Sequence, residues 1–423
     1  MKKYSFLLTI AAALLAVSSC RQSNELDGPS YNDNDGVFNA TFAIRLGQQT
    51  KSFADGTTVD KIYAGIYEIT ASGKYTWVAD NSADPSTIAN GSATVSFEDI
   101  ILLGKSYKVV FWAQKEGAPY YIDWAKNNTS GPTVTMTATG SANDESRDAF
   151  FGMYETGTVN GDIDLTGSPI TIKRPFAQVN VLVPTDNFVD ASGPVTSSMT
   201  VAQAPTVLNL ATKETSDPAD WTFSSAAINE AAFGTYASTH KYVAMNYVLV
   251  DQSAAGNIYD VTFSVTSSAS MPQVAIDRQM KNLPLKANGR TNIVGDIFDE
   301  NFNLLIPIMI SPDFGSEQVA TTVTVAVGQS ANEAFKLTSG VTSSIAVAVS
   351  HPIEVESDKP QITIEPEGFA ETEWNLATGK LDVTPLVNNG SAVITLVFPA
   401  VTKTTYASAI VQIYVTVGNN SGS

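Results

Sequence analysis

Apolar and polar side chains alternate one by one along many short stretches of this chain, and a period of two residues predicts β-strands with one buried face. The clearest stretch is residues 37–45 (VFNATFAIR), where every second side chain from Phe38 onward is apolar. The pattern recurs at residues 62–67, 75–78, 93–97, 107–113, 242–250, 261–265 and 303–310. One helix is predicted near residues 225–233, where alanines supply helix propensity. The sequence therefore predicts an all-β fold of antiparallel sandwiches.

The length of the chain predicts more than one domain, because a single core stops growing near about 250–300 residues and this chain has 423. From residue 316 the strands become short and β-branched, with Gly, Asn or Pro between them, which predicts an immunoglobulin-like sandwich over residues 316–423. Its last strand, residues 408–417, alternates apolar and polar side chains. This strand either closes its own domain or pairs with a neighbouring subunit.

The first twenty residues have the pattern of a secretory signal. Two lysines precede an apolar run at residues 6–17, which is shorter than the ~20 residues of a membrane span. The run leads into VSSC at residues 17–20, which resembles the lipobox of bacterial lipoproteins. The resemblance implies cleavage between Ser19 and Cys20 and lipid on the Cys20 thiol. The alternative is an ordinary signal with a cysteine at its edge.

Lipid on Cys20 implies attachment to the cell outer membrane. Each buried methylene contributes about 0.8 kcal/mol, and a single acyl chain holds only marginally; a mature lipoprotein, as the resemblance implies, carries three chains, such as palmitate. Residues 20–36 are rich in Asn, Asp, Ser and Gly and are predicted to be a flexible tether. The run DNDG at residues 33–36 lacks the ligand positions of an EF-hand, so no metal is predicted there.

The composition argues against several functions. With 24 basic and 42 acidic residues the net charge is −18, and such a surface repels phosphate backbones, so nucleic acid is not a predicted partner. Cys20 is the single cysteine, which leaves no disulfide within the mature chain. His240 and His351 fall in different predicted domains, which argues against a catalytic triad or a His-rich metal site. We predict no enzyme activity, no cofactor and no metal.

A series of short segments follows in a recognisable order between residues 51 and 315. They are KSFADG at 51–56, IYAGIY at 62–67, RDAFFG at 147–152, IKRPFAQV at 172–179, YVAMNYVLV at 242–250, LPL at 283–285, NGRTNIVG at 288–295 and SPDF at 311–314. Together they resemble the fimbrillin family of Gram-negative surface lipoproteins, the subunits and accessory proteins of type V pili. The resemblance implies two transthyretin-like β-sandwiches. The predicted organisation is a signal peptide at 1–19, a tether at 20–36, sandwiches at 37–168 and 169–315, and the immunoglobulin-like domain at 316–423.

The most distinctive segments contain six residues to which we assign structural roles: Arg174, Pro175, Arg290, Thr291, Asn292 and Gly295. An arginine fork makes several hydrogen bonds in fixed geometry, so the two arginines are predicted to hold carboxylates or carbonyls at domain edges. Pro175 donates nothing to a strand ladder and is predicted at an edge or a bulge. Asn292 and Gly295 are predicted to shape a turn or a strand entry. Direct contact of these residues with a ligand is the alternative.

The family's assembly mechanism, as the resemblance implies, is strand exchange: a protease removes the first strand after an arginine, and a strand of another subunit fills the groove. Arg45 is the candidate processing site, although Lys51 stands where an arginine is expected nearby. The implied partners are the outer membrane, other fimbrial subunits, and a receptor or glycan on a host or bacterial surface. The predicted function is an outer-membrane-anchored surface lipoprotein that serves as an accessory, tip or structural subunit of a fimbrium in adhesion.

An aromatic cluster supports an alternative function. Tyr120, Tyr121 and Trp124 follow Phe111 and Trp112 around a Gly-Ala-Pro turn. Exposed together, such rings stack on sugar faces, as in a surface glycan-binding lipoprotein of a polysaccharide-uptake system. The competing interpretation places the rings in the core or over its edge, and strand alternation requires one of Phe111 and Trp112 to face inward.

Overall fold

Strands form almost all of the regular structure in the part of the chain that the computed structural model describes. That part comprises residues 36–47, 56–184, 195–227, 235–236, 240–253, 257–267, 276–294, 308–311, 323–325, 334–349, 353, 358–398 and 408–418. These described residues form no α-helix, although Glu145–Arg147 is a 3-10 turn, and none of them belongs to a helix long and apolar enough to cross a bilayer. The all-β prediction is confirmed.

The N-terminal region is a sandwich of two sheets. Its strands β1 to β11 are Val37–Leu46, Lys61–Ile69, Tyr75–Asp80, Ser86–Thr87, Ser92–Leu102, Ser106–Gln114, Tyr120–Asp123, Thr133–Met136, Thr139–Ser141, Ala149–Thr158 and Ile163–Ile172. One sheet has the order β11-β1-β5, with β1 and β11 parallel, and the other has the order β10-β6-β2-β3. Alternate side chains of β1, β2, β5 and β6 fill the core between them.

The second region continues directly from β11. Strands β12 to β20 are Phe176–Pro184, Val195–Asn209, Thr215–Ala227, Thr235–Tyr236, His240–Leu249, Asn257–Ser267, Ile276–Leu285, Gly289–Val294 and Ile308–Ser311. One sheet runs β15-β16-β12-β19-β20 and the other β18-β17-β13-β14. Strands β8 and β9 of the N-terminal region complete the latter sheet, because β8 pairs with β13 and β9 pairs with β14.

The C-terminal region is joined to the second region by a strand ladder. Strands β21 to β28 are Val323–Val325, Phe335–Leu337, Ser343–Val349, Gln361–Glu365, Ala370–Asn375, Lys380–Pro385, Gly390–Phe398 and Ser408–Val417. One sheet has the order β21-β23-β26-β25, while β24-β27-β28 extends the sheet of the second region through β20. Strand β28 therefore pairs within its own chain, with β27, β20 and β22.

These pairings cross both predicted domain boundaries, at residues 168 and 315. Residues 38–423 accordingly cluster as one compact unit. The boundaries themselves, and the transthyretin-like and immunoglobulin-like character of the regions, stay predictions.

The helix predicted near residues 225–233 is wrong over its first three residues. Residues 225–227 belong to β14, where Ala226 and Ala227 pair with Ser197 and Thr196 of β13. The long antiparallel ladder outweighs the helix propensity of alanine, which is worth less than about 1 kcal/mol per residue. Residues 228–233 lie outside the described part of the chain.

Candidate functional site

Several predicted site residues lie outside the described part of the chain. These are the signal cleavage and lipidation positions, Ser19 and Cys20, together with Lys51 and Gly295. Their roles stay predictions. The remaining predicted residues fall in two places: Arg45 in the first strand, and the others where the N-terminal region meets the second region.

The first strand is the centre of its sheet. Strand β1 lies between β11 and β5, and the side chains of Ala40, Phe42, Ile44 and Leu46 are buried in the N-terminal core. Arg45 points outward and is exposed, opposite Thr171 of β11. The Arg45–Leu46 peptide bond therefore lies inside a paired strand, where a protease needs local opening to reach it.

A polar residue fastens the beginning of β1 to both neighbouring segments. The backbone N–H of Asn39 donates to Asp162 Oδ1 at 2.8 Å, just before β11. The side-chain Oδ1 of Asn39 accepts from the N–H of Asp99 on β5 at 2.9 Å. Because β11 and β5 lie on opposite sides of β1, this one residue links three strands of the sheet.

A buried ion pair occupies the junction between the first two regions. Arg174 Nε and Nη2 donate to Asp148 Oδ1 and Oδ2, each at 2.7 Å, and both side chains are almost fully buried. The guanidinium also lies 4.2 Å from the ring centroid of Phe150. Two parallel hydrogen bonds fix both partners in position. Pro175 follows at the break between β11 and β12, where the chain changes sheets.

A second arginine holds the β8–β9 segment against this junction. Arg147 Nη1 donates to the carbonyl of Thr137 at 3.0 Å, and Nη2 donates to the carbonyl of Thr139. A side chain at Gly140 would collide with this guanidinium, so glycine is required for the close approach. The segment that carries β9 into the sheet of the second region is thus fastened by a buried cation.

The second-region sheet that contains β12 and β19 carries a row of buried polar side chains. Asn180 on β12 pairs with Asn292 on β19, and Asn180 Nδ2 donates to Asn292 Oδ1 at 2.8 Å. Gln178 lies on the same face, opposite Arg290. Within the described residues, Gln178 Nε2, Asn180 Oδ1 and Asn292 Nδ2 have no hydrogen-bond partner. Burial lowers the pKa of Arg290, and the nearby charge of Arg174 adds to this effect.

The prediction that Asn292 shapes a turn or a strand entry is wrong. Asn292 lies inside β19 and is fully buried, because β19 pairs with β12 on one side and with β20 on the other. Its neighbour Thr291 donates from Oγ1 to the carbonyl of Pro284 at 3.0 Å. These side chains therefore stabilise the interior of a sheet.

The described residues do not support the alternative interpretation of the aromatic cluster as a sugar-binding platform, and they agree with the interpretation that places the rings in the core or over its edge. Trp124 is 7% exposed, and the partly buried Tyr120 packs against the core, next to Trp112 (5.5 Å between centroids) and Phe176 (5.7 Å, stacked). Tyr121 is the most exposed of the three rings, at 70%. The Tyr120 hydroxyl donates to the carbonyl of Arg147, and burial raises the pKa of Tyr120. The physical reason is that the N-terminal sandwich is covered on its outer face by the second region.

A lysine completes the junction. Lys108 lies on β6, is 6% exposed, and donates from Nζ to the carbonyl of Ala211 in the β13–β14 turn at 3.0 Å. Glu155 Oε1 lies 2.6 Å from Lys108 Nζ and balances its charge. Lys108 could have been identified as a junction residue because it is the one charged residue in the otherwise apolar run 107–113. In the same way, Gln178 and Asn180 are the polar residues within the apolar run FAQVNVLV.

Among the described residues, no group of three or more His, Cys, Asp or Glu side chains lies close enough to hold a metal ion. The arrangement of the junction is suited to holding protein segments together. Arg147, Arg174 and Asp148 are buried against protein, whereas Glu155 is largely exposed to solvent.

The geometry defines an all-β protein whose successive regions are interlocked by shared sheets and buried side chains. By sequence, the chain belongs to a family of unknown function (DUF6562), whose model matches residues 34–337. No curated protein matches the chain.

Solved structures of proteins from Parabacteroides and Bacteroides species resemble the chain. A fimbrial assembly protein from Parabacteroides distasonis is 14% identical, with 65% of this chain and 95% of that chain covered and a TM-score of 0.36. A candidate adhesin from Bacteroides ovatus is 13% identical, with 67% and 96% covered and a TM-score of 0.33. A candidate cell-adhesion protein from the same species is 10% identical, with 65% and 96% covered and a TM-score of 0.35. At TM-scores this low, the likeness establishes neither a common fold nor a function.

Proposed function

We propose that the protein is an outer-membrane-anchored surface lipoprotein that acts as an accessory, tip or structural subunit of a fimbrium in adhesion. Lipid on Cys20 holds the chain in the membrane, residues 20–36 form the tether, and the β-regions project away. In this proposal residues 37–168 and 169–315 are transthyretin-like sandwiches and residues 316–423 are immunoglobulin-like. The partners are other fimbrial subunits and a surface receptor or glycan.

The observation that carries the proposal is the position of β1. A first strand that is central in its sheet and fills the core with alternate side chains leaves a long groove when it is removed. Unpaired edges of β11 and β5 then offer backbone groups to an incoming strand, and the pockets of Phe42 and Ile44 set its register. This arrangement supports the strand exchange that the sequence resemblance implies.

The position of β28 supports an accessory or tip role over a repeating shaft role. Strand β28 pairs with strands of its own chain on both sides, and Val411, Ile413, Val415 and Val417 are buried in the C-terminal core. Releasing such a strand would break many backbone hydrogen bonds and expose much apolar surface to water. The chain can therefore accept a strand more readily than it can donate its last one.

The anchor is tested by growing cells with labelled palmitate. We expect label in the wild-type protein and none in the Cys20→Ser variant, because the thiol is the acceptor of lipid. A matched Ser23→Val variant keeps the thiol and is expected to retain the label, since the change lies after the cleavage site. Label that survives Cys20→Ser would refute the anchor.

The fimbrial role is tested on the same cells. We expect the protein in the fraction released by shearing and in ladders after cross-linking, because an assembled subunit is linked to its neighbours. Cleavage by an arginine-specific protease is expected to remove the first strand together with the lipid-bearing residues before it, and so to release the body from the anchor; Arg45→Gln is expected to prevent this. A protein that stays monomeric on the surface and never appears in sheared material would refute the fimbrial role.

A further inference from the structure

The chain enters and leaves the N-terminal region at opposite ends of one strand pair. It enters at Val37, the first residue of β1, and leaves at Ile172, the last residue of β11, before β12 begins at Phe176. Leu46 pairs with Ile172, and the N–H of Gly47 donates to the carbonyl of Ile172 at 2.7 Å. The exit therefore lies beside the end of β1 that is farthest from the entry.

This geometry decides how the pair resists tension. When a pull is applied at the entry and at the exit, the two parallel strands are drawn past each other, and their backbone hydrogen bonds are loaded together. When both attachments are at the same end, the strands peel apart and the bonds break one after another. The registered pairs lie in two groups, Ala40 to Phe42 and Ile44 to Leu46, on either side of a bulge.

We propose that β1, in the chain that is intact at Arg45, is a shear clamp, which transmits tension from the membrane anchor to the folded body without unfolding the N-terminal region. The inference rests on the N-terminal anchor of the proposed function, because that anchor sets the direction of the pull. Strand β11 takes the tension directly, so the chain between Gly47 and Ile163 is shielded from it while the clamp holds.

Side chains add resistance to sliding. Ala40, Phe42, Ile44 and Leu46 lie in separate positions of the core, and a shift of β1 along its axis moves each of them out of its place. At the entry, Asn39 is fastened to Asp162 on one side and to Asp99 on the other. A pull at Val37 therefore loads these contacts first.

Single-molecule force spectroscopy on residues 20–423, made without lipid, tests the clamp. One handle is placed on Lys173→Cys, an exposed position just after β11. The other is placed either on the native Cys20, which gives the shear direction, or on Arg45→Cys in a Cys20→Ser background, which gives the peeling direction. Both substituted positions are exposed, so each protein is expected to have the stability of the wild type in urea.

We expect the force that opens the N-terminal region to be several times higher in the shear direction, because forced unfolding is governed by the barrier along the pulling direction. Asn39→Ala is expected to lower the force in shear and to leave it almost unchanged in peeling. Equal forces in the two directions would overturn the clamp. Since neither protein carries lipid, that result would leave the anchor standing, whereas failed palmitate labelling would refute the anchor and leave the force difference intact.

Discussion

The two junctions of this chain are built in different ways. The N-terminal and second regions meet through side chains, in the Arg174–Asp148 pair and the stacked Tyr120 and Phe176 rings, in addition to the pairing of β8 and β9. The second and C-terminal regions are joined, among the described residues, by the backbone ladder between β20 and β28. A junction made by side chains depends on residue identity, whereas a ladder depends on the backbone and tolerates side-chain changes. The same chain therefore contains one joint that is sensitive to side-chain identity and one that depends mainly on backbone pairing.

The largest expected effect comes from breaking the buried ion pair. We expect Asp148→Ala to lower the free energy of unfolding by about 3–5 kcal/mol, because it leaves the Arg174 guanidinium buried without its carboxylate. Urea unfolding followed by fluorescence measures the change. The double variant Asp148→Leu/Arg174→Met removes both charges and is expected to recover most of the loss.

A surface pair provides the matched control for this experiment. Lys105, in the turn before β6, and Glu68, on β2, form an ion pair of the same 2.7 Å length, with side chains 49% and 26% exposed. Solvent screens such a pair, so Glu68→Ala is expected to cost at most about 1 kcal/mol. If Glu68→Ala lowered the free energy of unfolding as much as Asp148→Ala, burial of the ion pair would not explain the sensitivity of the junction.

The second prediction concerns the ladder. We expect Ala409→Pro, opposite Met309 of β20, to cost about 1–3 kcal/mol, because proline removes an N–H group from a central strand and leaves a partner carbonyl unpaired. Hydrogen exchange measured by mass spectrometry is expected to speed up in β20 and β28. Ala409→Gly keeps the N–H group and is expected to cost only about 0.5–1 kcal/mol. Equal exchange in the two variants would mean that the ladder does not hold the regions together.

The sequence predicts strands well where only one face of a sheet is covered. The period of two in β1 matches its burial, because its sheet packs on one neighbour. Strand β6 breaks the rule: both Phe111 and Trp112 are fully buried, although alternation requires only one to face inward. Its sheet packs against the N-terminal core on one face and against the second region on the other. A near-continuous apolar run was the visible sign of this double coverage.

The junction itself could not be predicted, because its partners are far apart in the sequence. Asn180 and Asn292 are 112 residues apart, and Lys108 and Ala211 are 103 apart. A period of apolar residues reports which side chains are buried, but it says nothing about what they are buried against. For the same reason Tyr120 and Trp124 were open to interpretation as a sugar platform until the second region was seen to cover them.

The smallest expected effect lies at the rim of the first junction, where the exposed Lys126 is held by the buried carboxylate of Asp80 shortly before β8. Asp80 Oδ2 is 2.7 Å from Lys126 Nζ and accepts from Trp77 Nε1 at 2.9 Å. Burial alone raises the pKa of Asp80, but hydrogen bonds from Lys126, Ser82 and Trp77 outweigh it and hold the pKa below its ordinary value of 3.8. A depressed pKa in the folded state adds stability above the unfolded pKa, and this stability is lost as the pH falls through the folded value.

We therefore expect the free energy of unfolding to decline below about pH 4 in the wild type, and the Asp80→Asn variant to show a shallower decline. The measurement is urea unfolding at a series of pH values. Lys126→Met removes one of the stabilising donors and is expected to give an intermediate slope, because Ser82 and Trp77 remain. If Asp80→Asn declined as steeply as the wild type, the acid sensitivity would come from other carboxylates, and the rim would contribute nothing to the junction.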